Sequence, residues 1–309
     1  EGPRRGPGGR AGARRRRSMS SRIQPTLAAR VWGGTRLRTL VPDAGEAMRA
    51  SREPIGEAWF GDADESRRGV LVKLLDVHER LSVQLHPDNT LAAELHGPGA
   101  IGKHEAWVIL DASPEATLLL GRDPSVAASE VATAVAEGRG VERLLARIPV
   151  VAGDVLDVPP GLLHALLPDI LVWEVQQPTE RTYRVADWGR GDPTRPLHRT
   201  ESARALNPDA LGCVNAHLDW SVPGEQRLLR TPHFDIHAIV GPFAGAITGE
   251  LHHAGDTVAT HVTQPGVMDA IAPVRLGELE LAAWSSAHLA DVAEVVVPAR
   301  STLLVAIGR

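Results

Sequence analysis

Apolar and polar residues alternate in short runs along most of this chain. VLVKLLDV, LSVQLH, AWVILDA, DVLDVP, ILVWEVQ and TYRVADW in the first two thirds, and FDIHAIV, DTVATHVT, GELELAAW, AEVVVP and STLLVAIG in the last, are each bounded by Gly, Pro or polar turn residues. A period of two with such punctuation predicts strands. The pattern changes only between Pro124 and Pro149, where SVAASEVATAVAEG and VERLLARI space their apolar residues for helices. The expectation is a mainly β chain. An unstructured leader at 1–21 precedes a β domain at 22–207, which carries a helical insertion near 124–149. A linker between Asn207 and Glu225 then leads to a smaller β domain at 225–309. DVLDVPPGLLHALL and AEVVVPARSTLLVA share a rhythm, as a duplicated unit would, with Ser301 and Thr302 where the first copy has a histidine.

Alternation also assigns faces, because successive strand side chains point to opposite sides. In LSVQLH, Leu81, Val83 and Leu85 fall on one face and Ser82, Gln84 and His86 on the other. In GKHEAW, Lys103, Glu105 and Trp107 point together and His104 points away, which reads as an outward residue and not a ligand. In ILVWEVQ, Glu174 is a carboxylate on a face that begins with Ile170 and Val172. A carboxylate buried there needs a partner or a raised pKa. Gln84, His86 and Glu105, joined by His164 behind a Pro-Pro-Gly turn, form a candidate four-ligand N/O metal site. For any one histidine alone, a hydrogen-bonded core role is the better reading; three segments pointing the same way reverse it.

Composition narrows the class. The chain has 309 residues, a formal charge of −5 and ordinary hydrophobic content, so it can build one large core or two modest ones. Its single cysteine, Cys213, excludes an internal disulfide and fits a reducing compartment; it reads as a small, at least partly buried side chain. No apolar run approaches the roughly 20 residues of a membrane helix, so the body is expected to be soluble and cytoplasmic, without membrane partners. The leader is rich in Arg and Gly and lacks the apolar core of a secretory signal. Arg14 to Arg17 could act as a nucleic-acid arm, but the remainder offers no matching basic stripe, so no nucleic-acid partner is expected.

GDVLDVPPGLLH at 153–164 fits G(X)5PXG(X)2H, the second motif of cupin barrels, through Gly153, Pro159, Gly161 and His164. Together with LSVQLHPDN, GKHEAWVIL, WGG at 32–34, PIGEAW, LVKLLD, TYRVADWGR and the later PLH, it makes the chain resemble the type I, zinc-dependent mannose-6-phosphate isomerases over roughly residues 25–205. The resemblance implies a cupin-type jelly-roll barrel with a helical insertion, then a second, smaller cupin-like β domain. It also implies one Zn²⁺ held by Gln84, His86, Glu105 and His164, with Mn²⁺, Co²⁺ or Fe²⁺ as substitutes. Arg184 is then the cation that stabilises an enediolate, Glu174 a carboxylate in the pocket, and Ser82 and Lys103 lie near the substrate phosphate. The chemistry implied is proton transfer between C1 and C2 of a sugar phosphate, by a monomer or homodimer. Glu174 is the candidate base, with His198 and Lys103 as rivals. The family often has Ser-Asp before the Thr-Tyr-Arg stretch, where this chain has Thr179 and Glu180. Two other classes compete: a cupin metal-dependent oxygenase, which would want more histidine ligands, and a non-catalytic sugar-phosphate sensor. His252, His253 and His261 lack carboxylates at ligand spacing and read as loop or surface residues.

Overall fold

The computed structural model describes residues 20–42, 45, 49–50, 52–66, 69–246, 256–267, 269–289 and 294–309. The leader therefore lies outside the described residues up to position 19, as do His252 and His253. The strands of the first part are β1 (Ser21–Ile23), β2 (Thr26–Gly34), β3 (Ile55–Phe60), β4 (Leu71–Val77), β5 (Val83–Leu85), β6 (Glu105–Ala112), β7 (Thr117–Arg122), β8 (Leu145–Pro149), β9 (Asp154–Val158), β10 (His164–Leu166), β11 (Ile170–Gln176), β12 (Tyr183–Ala186) and β13 (Ala216–His217). Those of the second are β14 (Gly224–Arg230), β15 (Phe234–Val240), β16 (Phe243–Gly245), β17 (Thr257–Thr263), β18 (Val274–Leu276), β19 (Leu279–Leu281), β20 (Ser286–His288), β21 (Val295–Val297) and β22 (Ser301–Gly308).

The first unit is an antiparallel jelly roll. A seven-stranded sheet, β13-β9-β6-β11-β4-β2-β3, faces a five-stranded one, β12-β5-β10-β7-β8. The second unit repeats the plan on a smaller scale, with a six-stranded sheet β1-β20-β17-β22-β15-β14 and a four-stranded one β16-β21-β18-β19. This is the mainly β, two-barrel architecture that the cupin motif implies.

Faces decide how the layers meet. Leu75 and Val77 of β4, Trp107 and Ile109 of β6, and Ile170 and Val172 of β11 fill the first barrel together with Leu118, Leu120 and Leu166. Their alternate neighbours Leu74, Val108, Leu171 and Trp173 lie on the back of the same sheet, packed against Phe234, Ile236, Val258 and Leu304 of the second unit. A sheet buried on both faces needs nearly continuous apolar strands, which is why β4 and β11 read as LVKLLDV and ILVWEVQ. A polar tie crosses the interface, from Trp173 Nε1 to Thr260 Oγ1 at 2.9 Å.

The helical insertion is shorter than the pattern predicts. Ala128–Glu137 is helical, and with Val131 and Val135 it covers the outer face of the five-stranded sheet. VERLLARI, however, is a three-residue 3-10 turn at Val141–Arg143 followed by strand β8, paired with β7. Its apolar residues suit either period, and an open sheet edge at β7 decides the outcome. Two short strands pair across the expected unit boundaries. Ser21–Ile23 pairs with Ser286–His288, which places β1 in the second unit's sheet. Ala216–His217, inside the expected linker, pairs with β9 of the first. Cys213 is exposed, not partly buried. No helix among the described residues is long and apolar enough to cross a membrane.

Trp173→Ala should cost about 3–5 kcal/mol of unfolding free energy and Trp173→Phe about 1 kcal/mol, measured by denaturant titration. The gap between the two separates the packing of the inter-unit face from the Trp173–Thr260 hydrogen bond.

Candidate metal and sugar-phosphate site

The motif around His164 works through two backbone positions that only glycine fits comfortably. Gly153 (φ +106°) has His217 and Leu218 pressed against it, and Gly161 (φ +83°) lies where a Cβ would come within 2.8 Å of the Ala205 carbonyl. β9 runs between them, and the turn at Pro160–Gly161 returns the chain into β10 with His164 as its first residue, in register with Gln84 of β5. On the other side of β5, Gln84 pairs with Arg184 of β12, so three adjacent strands present Arg184, Gln84 and His164 in one row.

Glu105 opens β6 opposite that row. Its Oε1 lies 3.2 Å from His164 Nε2 and its Oε2 lies 3.3 Å from His86 Nε2, with both imidazoles and the carboxylate almost wholly buried. Ligand atoms from these three residues all fall within 4.8 Å of one another. Neither Nε2 nor Glu105 Oε1 has a hydrogen-bond partner. Unpartnered buried polar atoms are costly and call for an explanation. The opposite edges of the rings are tied down: His86 Nδ1 lies 3.1 Å from the Arg181 carbonyl and His164 Nδ1 lies 2.9 Å from the Leu162 carbonyl. A carbonyl only accepts, so both Nδ1 atoms carry the proton and both Nε2 lone pairs point inward. Burial, reinforced by the Lys103 ammonium, depresses the His86 pKa to about 3, which keeps the ring neutral. Two imidazoles aimed at one carboxylate, each oriented by a backbone acceptor, fit a divalent cation.

Beside this cluster is a cavity of about 290 Å³ whose lining includes Ser82, Gln84, Lys103, Glu174, Arg184, Trp59 and Arg195. Lys103 is buried, with Nζ 2.5 Å from Glu105 Oε2. Burial would strip its proton, but Glu105 and Glu174 outweigh that and raise its pKa. Burial works the other way on Glu105, and the Lys103 charge again prevails, holding that carboxyl well below its usual range. Glu174 receives the Trp107 indole N–H at 3.0 Å and faces Lys73 Nζ at 3.4 Å. Its pKa is raised, first by burial and then by the Glu105 charge, against opposition from Lys103 and Lys73. Arg184 sends Nη1 to the Pro196 carbonyl at 3.1 Å and keeps a buried Nε without a partner.

The structure brings His86, Glu105 and His164 together, sets Gln84 on the adjoining strand and places Ser82, Lys103, Glu174 and Arg184 around one cavity. His198 is elsewhere: its Nδ1 accepts the Arg184 backbone N–H at 2.9 Å, so that lone pair anchors β12 and is not free to take a substrate proton. His104 is not outward but buried, lying 2.7 Å from Asp157 and stacked edgewise against Phe234 of the second unit. His261, read as a loop or surface residue, is fully buried in the second barrel, where Nε2 meets Ser301 Oγ at 3.0 Å. Among the described residues only His86, Glu105 and His164 group as possible metal ligands. Sequence reasoning missed Lys73, although a lone lysine in the apolar run LVKLLD carries the same signal that exposed Glu174. It also missed Trp107 as a hydrogen-bond donor.

No family model matches the chain. A curated relative from Bacillus subtilis (strain 168), named "Putative mannose-6-phosphate isomerase YvyI", is 33% identical over 226 residues, covering 64% of this chain and 71% of its own length. The chain belongs to the mannose-6-phosphate isomerase family. The crystal structure of mannose 6-phosphate isomerase from Bacillus subtilis aligns with a TM-score of 0.75 at 25% identity, over 94% of this chain and 99% of its own. A zinc-bound mannose 6-phosphate isomerase structure, 12% identical, shares the fold with a TM-score of 0.67 over 94% of this chain and 100% of its own.

Lys73→Met removes the ammonium that faces Glu174. The carboxyl pKa should then rise further, moving the acidic limb of the pH dependence of isomerase activity upward by about one unit or more. An unmoved limb would show that Glu174 does not govern it.

Proposed function

We propose that this chain interconverts mannose 6-phosphate and fructose 6-phosphate, with Zn²⁺ held by Gln84, His86, Glu105 and His164. The observation that carries the reading is the convergence of His86 Nε2, His164 Nε2 and Glu105 Oε1, buried and unpartnered, beside a cavity lined by Ser82, Lys103, Glu174 and Arg184, in a member of this isomerase family. Zinc, when bound, supplies a Lewis acid for the sugar's carbonyl and hydroxyl oxygens.

The remaining work falls to the chain's own groups. Moving a proton between C1 and C2 builds negative charge on oxygen, and the Arg184 guanidinium, permanently charged and with a free Nε, faces that charge from β12. Glu174 takes the proton from one carbon and returns it to the other; its raised pKa brings a carboxylate closer to neutrality, which is what a base working in both directions needs. Lys103 remains protonated between Glu105 and the cavity and, with Ser82, meets the substrate's phosphate or hydroxyl oxygens. A phosphate monoester carries about −1.5 to −2 charges at neutral pH, so a cavity bordered by Arg184, Arg195, Lys73 and Lys103 suits it.

We further infer a division into a catalytic barrel, 22–207, and a smaller supporting β domain, 225–309, exchanging β1 and β13 at their borders. We infer also a cytoplasmic setting, with the protein acting as a monomer or homodimer without nucleic-acid partners. Gln84 and the cationic cavity favour isomerisation over an oxygenase.

Glu105→Ala and His164→Ala should each remove bound zinc and isomerase turnover together, measured by metal analysis and a coupled assay with mannose 6-phosphate. Full activity in a metal-free variant would refute the site. Arg184→Ala should lower kcat by roughly 10²–10³-fold with zinc content intact.

A further inference from the structure

Glu65 belongs to none of the motifs above. It lies in the connection between β3 and β4, yet its carboxylate gathers two segments that border the metal site. Oε1 accepts from the Thr179 hydroxyl at 2.8 Å and lies 2.9 Å from Arg181 Nη1. Oε2 accepts from Arg181 Nη1 at 3.0 Å and from the Ile101 backbone N–H at 3.3 Å. Arg181 Nη1 also donates to the Ile101 carbonyl at 2.8 Å, so the two segments are cross-tied through the carboxylate and directly.

Both segments end at the site. The Arg181 carbonyl is the acceptor that fixes His86 Nδ1 and hence the direction of Nε2. Ile101 stands two residues before Lys103, whose backbone N–H is bonded to Pro87 O at 3.0 Å. Between them, Gly102 is pressed against the His86 loop so closely that a Cβ would sit 2.4 Å from Pro87 O. A shift at Arg181 or Ile101 therefore has no slack in which to dissipate before it reaches His86 and Lys103. Thr179 and Glu180 stand where the family often has Ser-Asp. Glu180 lines the cavity, and the carboxylate that organises this turn arrives from Glu65 in another segment.

We propose that Glu65 is a positioning residue that sets metal affinity by holding the Arg181 carbonyl against His86. The inference rests on the metal site proposed above. Outer partners of ligating histidines typically tune affinity by 10–100-fold, and Glu65 acts one bond further out, through the group that carries the acceptor.

The test compares wild type, Glu65→Ala, Glu65→Gln and the control Glu94→Ala, whose carboxylate pairs with Arg204 on the surface. Three quantities are read: the zinc dissociation constant by chelator competition, the visible spectrum of the Co²⁺-loaded protein, and the thermal unfolding midpoint. Glu65→Ala should weaken zinc by about 10–100-fold and change the Co²⁺ bands. Glu65→Gln should give a smaller loss, because the amide oxygen still accepts but the charge facing Arg181 is gone. Glu94→Ala should match wild type. Zinc affinity within about twofold of wild type in both Glu65 variants, or an equal loss in Glu94→Ala, overturns the inference; if Glu65→Ala does not fold, Glu65→Gln decides it. Absence of zinc binding by wild type instead sinks the metal site itself, a failure visible before any variant is made.

Discussion

The interaction on which everything else depends is the charge balance around Glu105. A fully buried carboxylate, against two almost wholly buried imidazoles, cannot stand in a barrel interior on hydrophobic packing alone. Lys103 offsets its charge at 2.5 Å, and backbone carbonyls turn both rings so that their lone pairs face it. The arrangement leaves donor atoms, not donated protons, pointing at one spot. Such a cluster is expensive for a protein to bury and is explained by a cation it exists to hold.

The rest of the interior extends that balance outward. Glu174 sits between Lys73 on β4 and Trp107 on β6, each its in-register neighbour, so the sheet itself delivers one ammonium and one indole N–H to a buried carboxylate. Carboxylates and ammonium groups alternate across this wall of the barrel. Below them the same strands continue into Leu75, Ile109 and Val172, which exclude water from one end of the site. The back of the sheet leans on the second unit through Trp173 and Val108, so the wall that carries Glu105 and Glu174 is packed on both sides. A rigid wall suits a reaction in which the same groups must serve both directions.

Much of this is legible in the sequence. Alternation placed Glu105 with Trp107 and separated them from His104, and the Gly153, Pro159, Gly161 and His164 spacing announced a cupin turn. A lone charge in an apolar run marked Glu174, and the same argument applied to Lys73 would have found its partner. What the sequence withheld lies in contacts between distant segments. His104 looked outward because one domain's exterior is the other's interface, where Phe234 covers it. His261 looked superficial because it has no carboxylates at ligand spacing, yet Ser301 and the Leu281 carbonyl satisfy it inside the second barrel. VERLLARI carried a helical rhythm that an unpaired strand edge overrode. Glu65 was invisible because its importance lies in Thr179, Arg181 and Ile101, none of them near it in the chain.

The central claim is that one cation, gripped by Gln84, His86, Glu105 and His164, is required for the isomerase reaction. The most direct measurement follows the wild-type protein's metal content and its conversion of mannose 6-phosphate before chelation, after chelation, and after zinc is restored. The account predicts close to one equivalent of zinc per chain, parallel loss of metal and turnover, and recovery of both. Undiminished conversion by protein stripped of all divalent metal would contradict it.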